Sequence, residues 1–254
     1  MSRYTTQIQQ SVFDQSILLH ELQPSYAIRP TDYALISGGI CYMLSMEWLR
    51  CLFETPDVYP ASIFFNNFED TNNLMYFKQI ANNYCKFSAD YEYNYPILTT
   101  VSPYPSIADI PQSGGSIMED VDRWYVSLCS NKKMQVVDCT YSDQVHALAT
   151  RMTSLRPGCG MLLWLTVYES GTDANNHTYP GFAHEMALWR DKKGELYFFD
   201  PNEGVFTVKD AYTLAQEILS YANIPPFPIE YNPWIFISQV ERAPTPAPKD
   251  PTEG

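Results

Sequence analysis

Apolar residues before about residue 160 recur at helical spacing. The clearest stripe, with members three and four positions apart, runs from Cys41 to about Phe53 and is followed by Pro56, which ends helices. Gly38 and Gly39 come just before it and allow a tight turn into the helix. Less regular patterns of the same kind predict helices at about 73–84, 117–129, 142–155 and 209–222.

Short runs of aliphatic and aromatic residues take over from about residue 161. Turn residues separate these runs, which predict strands at about 161–169, 182–190, 195–200 and 234–240. Helices followed by strands, without an internal repeat, indicate an α+β fold with an antiparallel sheet. We expect one domain over residues 1–242 and an extended, mobile, Pro-rich tail over 243–254. The polar residues 1–16 are predicted to be a frayed end or a non-cleaved secretion signal.

Composition and charge exclude several classes of partner. The 254 residues include 16 Lys and Arg against 29 Asp and Glu, and the formal net charge of −13 argues against nucleic acid as a partner. The longest apolar run, residues 161–168, is too short to cross a bilayer, so no transmembrane segment is predicted. The acidic charge favours a basic segment in any protein substrate.

The cysteines and histidines do not form a metal-binding pattern. None of the six cysteines is part of a CxxC pair, and no two of the four histidines have HxH or HxxxH spacing. His184 and Glu185 resemble the start of a zincin motif, but Leu188 occupies the position of its second His. We therefore predict no metal, no cofactor, and reduced thiols in a reducing compartment.

Among the cysteines, Cys41 has the predicted location that most favours a reactive thiol. It lies in the first turn of a predicted helix, where the positive end of the helix dipole lowers the pKa of a thiol and favours the thiolate. A small buried residue on an amphipathic helix would show the same pattern. As a nucleophile, Cys41 would need a base and a group that orients the base.

A predicted hairpin brings a histidine and an aspartate together. If residues 192–194 form a three-residue loop, Asp191 faces Glu195 across the two strands. In that register Asp200 is the diagonal neighbour of His184 on the same face, about 7–8 Å away at Cα, whereas a slip of one residue would separate them. Alternatively, His184 is an ordinary half-buried sheet residue and Asp200 only starts a turn.

Cys41, His184 and Asp200 occur in the order of a Cys-His-Asp triad. With the GGxC helix start, the H-E-x-A segment beginning at His184 and the FFDPNEGVF stretch (residues 198–206), the chain resembles the YopT-type cysteine proteases, bacterial effectors with a papain-like fold. The resemblance covers about residues 35–55 and 160–240. It implies that Cys41 is the nucleophile, that His184 is the general base and later acid, and that Asp200 orients the imidazole.

The same resemblance implies an oxyanion hole and a cellular context. In papain-like folds the backbone N–H of the nucleophile, here Cys41, forms part of the oxyanion hole, and a polar side chain upstream completes it. Ser37, Thr31 and Gln23 are the candidates for that side chain. A protein of this kind is made in a bacterium, exported by a non-Sec route, and acts on a host protein in the host cytoplasm.

Two other kinds of function fit the same residues. Deamidation of Gln, transglutamination and acyl transfer also begin with attack by such a thiol, and the sequence does not separate them from proteolysis. A non-catalytic protein-binding module is the alternative class. Its contact surface would be a predicted Tyr-rich loop that contains Tyr91, Tyr93, Tyr95 and Tyr104. The alternative is that these tyrosines only cover the edge of the core.

Overall fold

The computed structural model describes most of the chain. The described residues are 2–26, 32, 36, 39–64, 70–94, 119, 122–123, 126–127, 130, 133–168, 171–172, 178–179, 182–220 and 234–244. Within these ranges no helix is long and apolar enough to cross a membrane. Most of the helix predicted at 117–129, and all but two residues of the predicted tail, lie outside them.

Helices dominate the first part of the described chain, and strands dominate the second. In chain order the elements are β1 (Ile8–Ser11), α1 (Gln15–Leu22), α2 (Cys41–Glu54), α3 (Thr71–Asn94), β2 (Met134–Ser142), α4 (Val145–Ser154), β3 (Cys159–Tyr168), β4 (Gly171–Thr172), β5 (Thr178–Tyr179), β6 (Phe182–Arg190), β7 (Leu196–Asp200), β8 (Gly204–Thr207), α5 (Ala211–Leu219) and β9 (Trp234–Arg242). Two short 3-10 helices, at Gln23–Tyr26 and Pro60–Ser62, complete the set.

Seven of the strands form one antiparallel sheet. Their order across the sheet is β1-β8-β7-β6-β3-β9-β2, while β4 and β5 pair with each other. The predicted α+β class with an antiparallel sheet is confirmed, as are the four predicted strands, which correspond to β3, β6, β7 and β9. The sequence pattern missed β1, β2 and β8, because β1 and β8 have only four residues each and β2 is interrupted by polar residues.

Helix α2 packs its apolar stripe against one face of the sheet. Leu44, Trp48 and Leu52 on this stripe are fully buried, as the sequence spacing predicts. Gly160 on β3 allows the close approach, because a Cβ atom at this position would lie 2.7 Å from a methyl carbon of Leu49. Helices α4 and α5 cover the other face with a separate set of apolar side chains. The sheet is thus buried on both faces. The packing of α2 against the sheet fixes the position of Cys41, which is the first residue of this helix.

Two helix boundaries differ from the sequence prediction. Helix α3 continues to Asn94, so the prediction that the Tyr-rich segment is a loop from residue 88 is wrong for residues 88–94. Helix α4 begins at Val145 rather than residue 142, because residue 142 is the last residue of β2 and pairs with β9. Of the proposed contact tyrosines, Tyr95 and Tyr104 lie outside the described residues, and the backbone of Tyr91 and Tyr93 is helical.

The N-terminal segment packs against the sheet, so the expectation of a frayed end is wrong for residues 2–16. Tyr4 and Phe13 are buried, and β1 pairs with β8 at the edge of the sheet. Asp14 caps α1, its side chain accepting a hydrogen bond from the backbone N–H of Ser16. The segment before α1 is therefore an integral part of the described fold.

Candidate active site

The hairpin between β6 and β7 has the predicted register. The backbone N–H of Asp191 donates to the carbonyl oxygen of Glu195 at 2.9 Å, and Gly194 has a φ of +90°, which favours glycine in this turn. The ladder that follows pairs β6 with β7 as a three-residue loop requires. As a consequence, His184 Nε2 and Asp200 Oδ1 are 2.7 Å apart, and both side chains are buried.

Cys41 is the first residue of α2 and is half-buried. Gly39 has a φ of +118°, a left-handed conformation that L side chains rarely adopt, and it lets the chain turn directly into the helix. The backbone N–H of Glu185, the residue after His184, donates to Cys41 Sγ at 3.4 Å. The start of α2 and the start of β6 thus bring the thiol of Cys41 and the imidazole of His184 together.

The ionisation of these three groups is mutually supporting. Burial raises the pKa of Cys41, but the hydrogen bond and the positive charge of His184 lower it by more than burial raises it. The net shift of the Cys41 pKa is therefore downward. Burial lowers the pKa of His184, but the charge and hydrogen bond of Asp200 dominate and hold that pKa well above its usual value. Burial raises the pKa of Asp200, and the charge of His184 more than offsets this, so its pKa is low. The arrangement therefore favours a thiolate beside an imidazolium.

Asp200 has two further hydrogen-bond donors that the sequence did not reveal. The hydroxyl of Tyr4 donates to Asp200 Oδ2 at 2.5 Å, and the backbone N–H of Asn202 donates to Oδ1 at 2.8 Å. Tyr4 is separated from Asp200 by 196 positions, so no local pattern could have linked them. The carboxylate is therefore held at both oxygens, which fixes the plane it presents to His184.

Gln15 is a second buried polar residue at the site that sequence reasoning missed. Its Oε1 accepts a hydrogen bond from the backbone N–H of Ile40 at 2.9 Å, and its Nε2 donates to Asn202 Oδ1 at 2.6 Å. One side chain thus joins the turn before Cys41 to the turn after Asp200. Of the upstream candidates for the oxyanion hole, Ser37 and Thr31 lie outside the described residues, and Gln23 is exposed on a 3-10 helix.

Two interacting carboxyl groups, those of Asp122 and Glu185, are buried near the residues that flank the thiol and the imidazole. Asp122 accepts hydrogen bonds from Tyr42 at 2.9 Å and from Ser238 at 2.5 Å, and burial raises its pKa to about 6. Glu185 is also buried, and its Oε2 has no hydrogen-bond partner within the described part of the chain. Burial and the nearby charge of Asp122 hold the pKa of Glu185 well above its usual value. Its surroundings therefore favour the neutral, protonated form of Glu185.

Asp122 should make the stability of the fold decrease between about pH 4 and 6. Its pKa is raised in the folded state, so the folded chain binds the proton more tightly, and stability falls as the pH rises past the pKa of the unfolded chain. We expect Asp122→Asn to gain about 2 kcal/mol relative to the wild type between pH 4 and pH 7, measured by urea unfolding at each pH. An unchanged difference at the two pH values would contradict this.

The other described thiols lack such an environment. Cys139 lies in the middle of β2 rather than at the end of an element, and burial raises its pKa to about 12. Burial also raises the pKa values of Cys51, Cys85 and Cys159. All five described cysteines are free thiols. Across the described residues, no cluster of three or more His, Cys, Asp or Glu side chains is arranged to hold a metal ion.

Solved structures that match the chain include a Pseudomonas protein and a domain of a Photorhabdus toxin. No protein-family model and no curated protein sequence matches the chain. The crystal structure of the Pseudomonas avirulence protein AvrPphB has a TM-score of 0.46 and 15% sequence identity, and the match covers 80% of this chain and 91% of that chain. PatoxP, a cysteine protease-like domain of the Photorhabdus asymbiotica toxin PaTox, has a TM-score of 0.37 and 11% identity, with 94% of this chain and 55% of that chain covered.

The chain thus spans about half the length of the PatoxP chain.

Proposed function

We propose that the protein is a cysteine-dependent amide hydrolase whose triad is Cys41, His184 and Asp200. The observation that carries this proposal is the buried 2.7 Å contact between His184 and Asp200, next to a thiol at a helix N-terminus that accepts a hydrogen bond from Glu185. A histidine between a carboxylate and a thiol is the arrangement that activates a sulfur nucleophile. The three groups come from the start of a helix and from two strands, and packing of the hydrophobic core does not require such polar groups to meet.

The reaction proceeds in two halves. In the first, the Cys41 thiolate attacks the amide carbonyl, His184 protonates the leaving amine, and a thioester forms. In the second, His184 removes a proton from water, which hydrolyses the thioester and releases the acid. Because Nε2 of His184 is bonded to Asp200, Nδ1 is the ring nitrogen left for these proton transfers. The first N–H groups of α2, including that of Cys41, stabilise the oxyanion.

The substrate we propose is a host protein, and the role that of a bacterial effector protease. The basis is the YopT-type resemblance of the GGxC, H-E-x-A and FFDPNEGVF segments, together with a site built for amides. Export by a non-Sec route and action in the reducing cytoplasm of a host cell belong to the same proposal, and free thiols are compatible with such a compartment.

The pH dependence of thiol alkylation tests the proposal. We expect iodoacetamide, mapped by mass spectrometry between about pH 5 and 9, to modify Cys41 at pH 6 at least about tenfold faster than Cys51 or Cys139, because only Cys41 has a lowered pKa. His184→Ala should remove that advantage, with circular dichroism to confirm that the variant is folded. If Cys41 is inert at pH 6, or reacts equally fast without His184, the triad does not exist.

A peptide assay then separates the chemistries that share this triad. The wild type is incubated with a library of peptides from a eukaryotic proteome, and the products are analysed by mass spectrometry. New peptide N-termini indicate hydrolysis of the backbone, whereas conversion of Gln to Glu indicates deamidation. We expect new N-termini.

A further inference from the structure

The turn that carries Asp200 is enclosed by the N-terminal segment. This acid turn, residues 200–204, contacts residues 3–15 along its whole length. The backbone N–H of Gln15 donates to the carbonyl oxygen of Pro201 at 2.8 Å, and Gln9 Nε2 donates to that of Glu203 at 2.8 Å. Arg3 forms an ion pair with Glu203 at 3.4 Å. The loop that presents the carboxylate to His184 therefore has its conformation set by a segment nearly 200 residues earlier in the chain.

Tyr4 is the member of this segment that reaches the carboxylate itself. Its ring is 1% exposed and packs edge-on against Phe198 and Phe206, with ring centroids 4.8 Å and 5.1 Å away. Its hydroxyl donates to Asp200 Oδ2, the oxygen that does not meet His184. The ring contacts leave the hydroxyl little freedom, so Tyr4 determines the rotation of the carboxylate.

We propose that Tyr4 is a positioning residue of the active site, and that residues 2–15 are a structural part of the catalytic centre rather than a leader that can be removed. This inference rests on the proposed function, because it assigns Tyr4 a role through Asp200 and His184. Without the tyrosine hydroxyl, a fully buried carboxylate oxygen loses its hydrogen-bond donor. The carboxylate then rotates or takes up a proton, and in either case it stabilises the imidazolium of His184 less well. The thiolate of Cys41 is formed at a higher pH as a result.

Tyr197 provides a matched control for this experiment. It is also a buried tyrosine, 4% exposed, but it lies on strand β7, and its hydroxyl donates to a carboxylate, Glu195 Oε2, at 2.8 Å. Glu195 directly precedes β7, at the opposite end of that strand from Asp200, and its described contacts are with Asp191 and Tyr197 rather than with the triad. Tyr4→Phe and Tyr197→Phe therefore make the same chemical change, and both keep the aromatic packing.

The test is the rate of Cys41 alkylation by iodoacetamide as a function of pH in full-length wild type, Tyr4→Phe and Tyr197→Phe. For Tyr4→Phe we expect about a tenfold lower rate at pH 6 and a midpoint about one pH unit higher. Tyr197→Phe should match the wild type, while urea unfolding midpoints of the two variants fall by similar small amounts. Chemical shifts of the His184 imidazole, read by NMR, should move only in Tyr4→Phe.

Each outcome of this experiment decides the inference. A Tyr4→Phe profile identical to the wild type, or equal shifts in both variants, would overturn it while leaving the triad intact. A wild-type Cys41 that is unreactive at low pH would overturn the proposed function, and the inference with it. The two failures are distinguishable, since the first is read from the variants and the second from the wild type.

Discussion

Replacement of Cys41 by Ala is expected to abolish amide hydrolysis, lowering kcat by roughly 10⁶-fold, the size of loss seen when the nucleophile of a catalytic triad is removed. No other described thiol has a lowered pKa or a contact with His184, so none can substitute for it. The assay is the appearance of new N-termini in the peptide library, followed with time for the wild type and the variant.

Cys51→Ala is the matched control for this experiment. Cys51 lies on the same helix, is also half-buried, and contacts the hydroxyl of Tyr76 rather than the triad. We expect this variant to keep full activity. Residual hydrolysis in Cys41→Ala at more than a few per cent of the wild-type rate would show that the reaction does not use this sulfur. Loss of activity in both variants would point instead to damage to α2 as a whole.

The largest effect on stability is expected from Gly204→Ala. Gly204 has a φ of +118°, and a Cβ atom there would lie 2.1 Å from the carbonyl oxygen of Ser11 and 2.9 Å from the backbone nitrogen of Phe13. The variant has both an unfavourable backbone conformation, about 1–3 kcal/mol, and a clash with backbone atoms that cannot rotate away. We expect a total loss of about 4 kcal/mol or more in the free energy of unfolding, measured with urea.

Gly194→Ala separates the two contributions. Gly194 also has a left-handed φ, +90°, but a Cβ atom there would have no neighbour within 4 Å. Only the conformational cost applies, and we expect a loss of about 1 kcal/mol. Equal losses in the two variants would mean that the contact between residues 11–13 and Gly204 is not as close as the structure shows. A loss confined to Gly204→Ala would mean that the turn at Gly194 tolerates alanine.

The part of the site that the sequence predicted is the part that depends on local chemistry. The turn residues at 191–195 determine the register of the hairpin, and the register alone brings His184 next to Asp200. Gly39 and the apolar stripe likewise determine where α2 begins, and so where Cys41 lies. Each of these inferences needs only residues within a few positions of one another.

The part that the sequence did not predict depends on contacts between distant residues. Tyr4 and Gln15 carry no motif, and their partners at the site lie 196 and 187 positions away. The polar composition of the N-terminal segment is the same whether the segment is frayed or pairs with the edge of a sheet, so composition alone does not predict the pairing. Strand β1 is hidden for the same reason, since three of its four residues are exposed and only its pairing with β8 makes it a strand.

The pairing of β1 with β8 also governs when the site can form during synthesis. Tyr4 and Cys41 leave the ribosome well before Asp200 and β8, so β1 has no partner strand until β8 has been synthesised. Contacts of such long sequence separation form late, because closing the intervening loop costs entropy before any contact is gained. A nascent or partly folded chain therefore has a cysteine without an activated thiolate. The activated nucleophile therefore forms only after synthesis has passed β8.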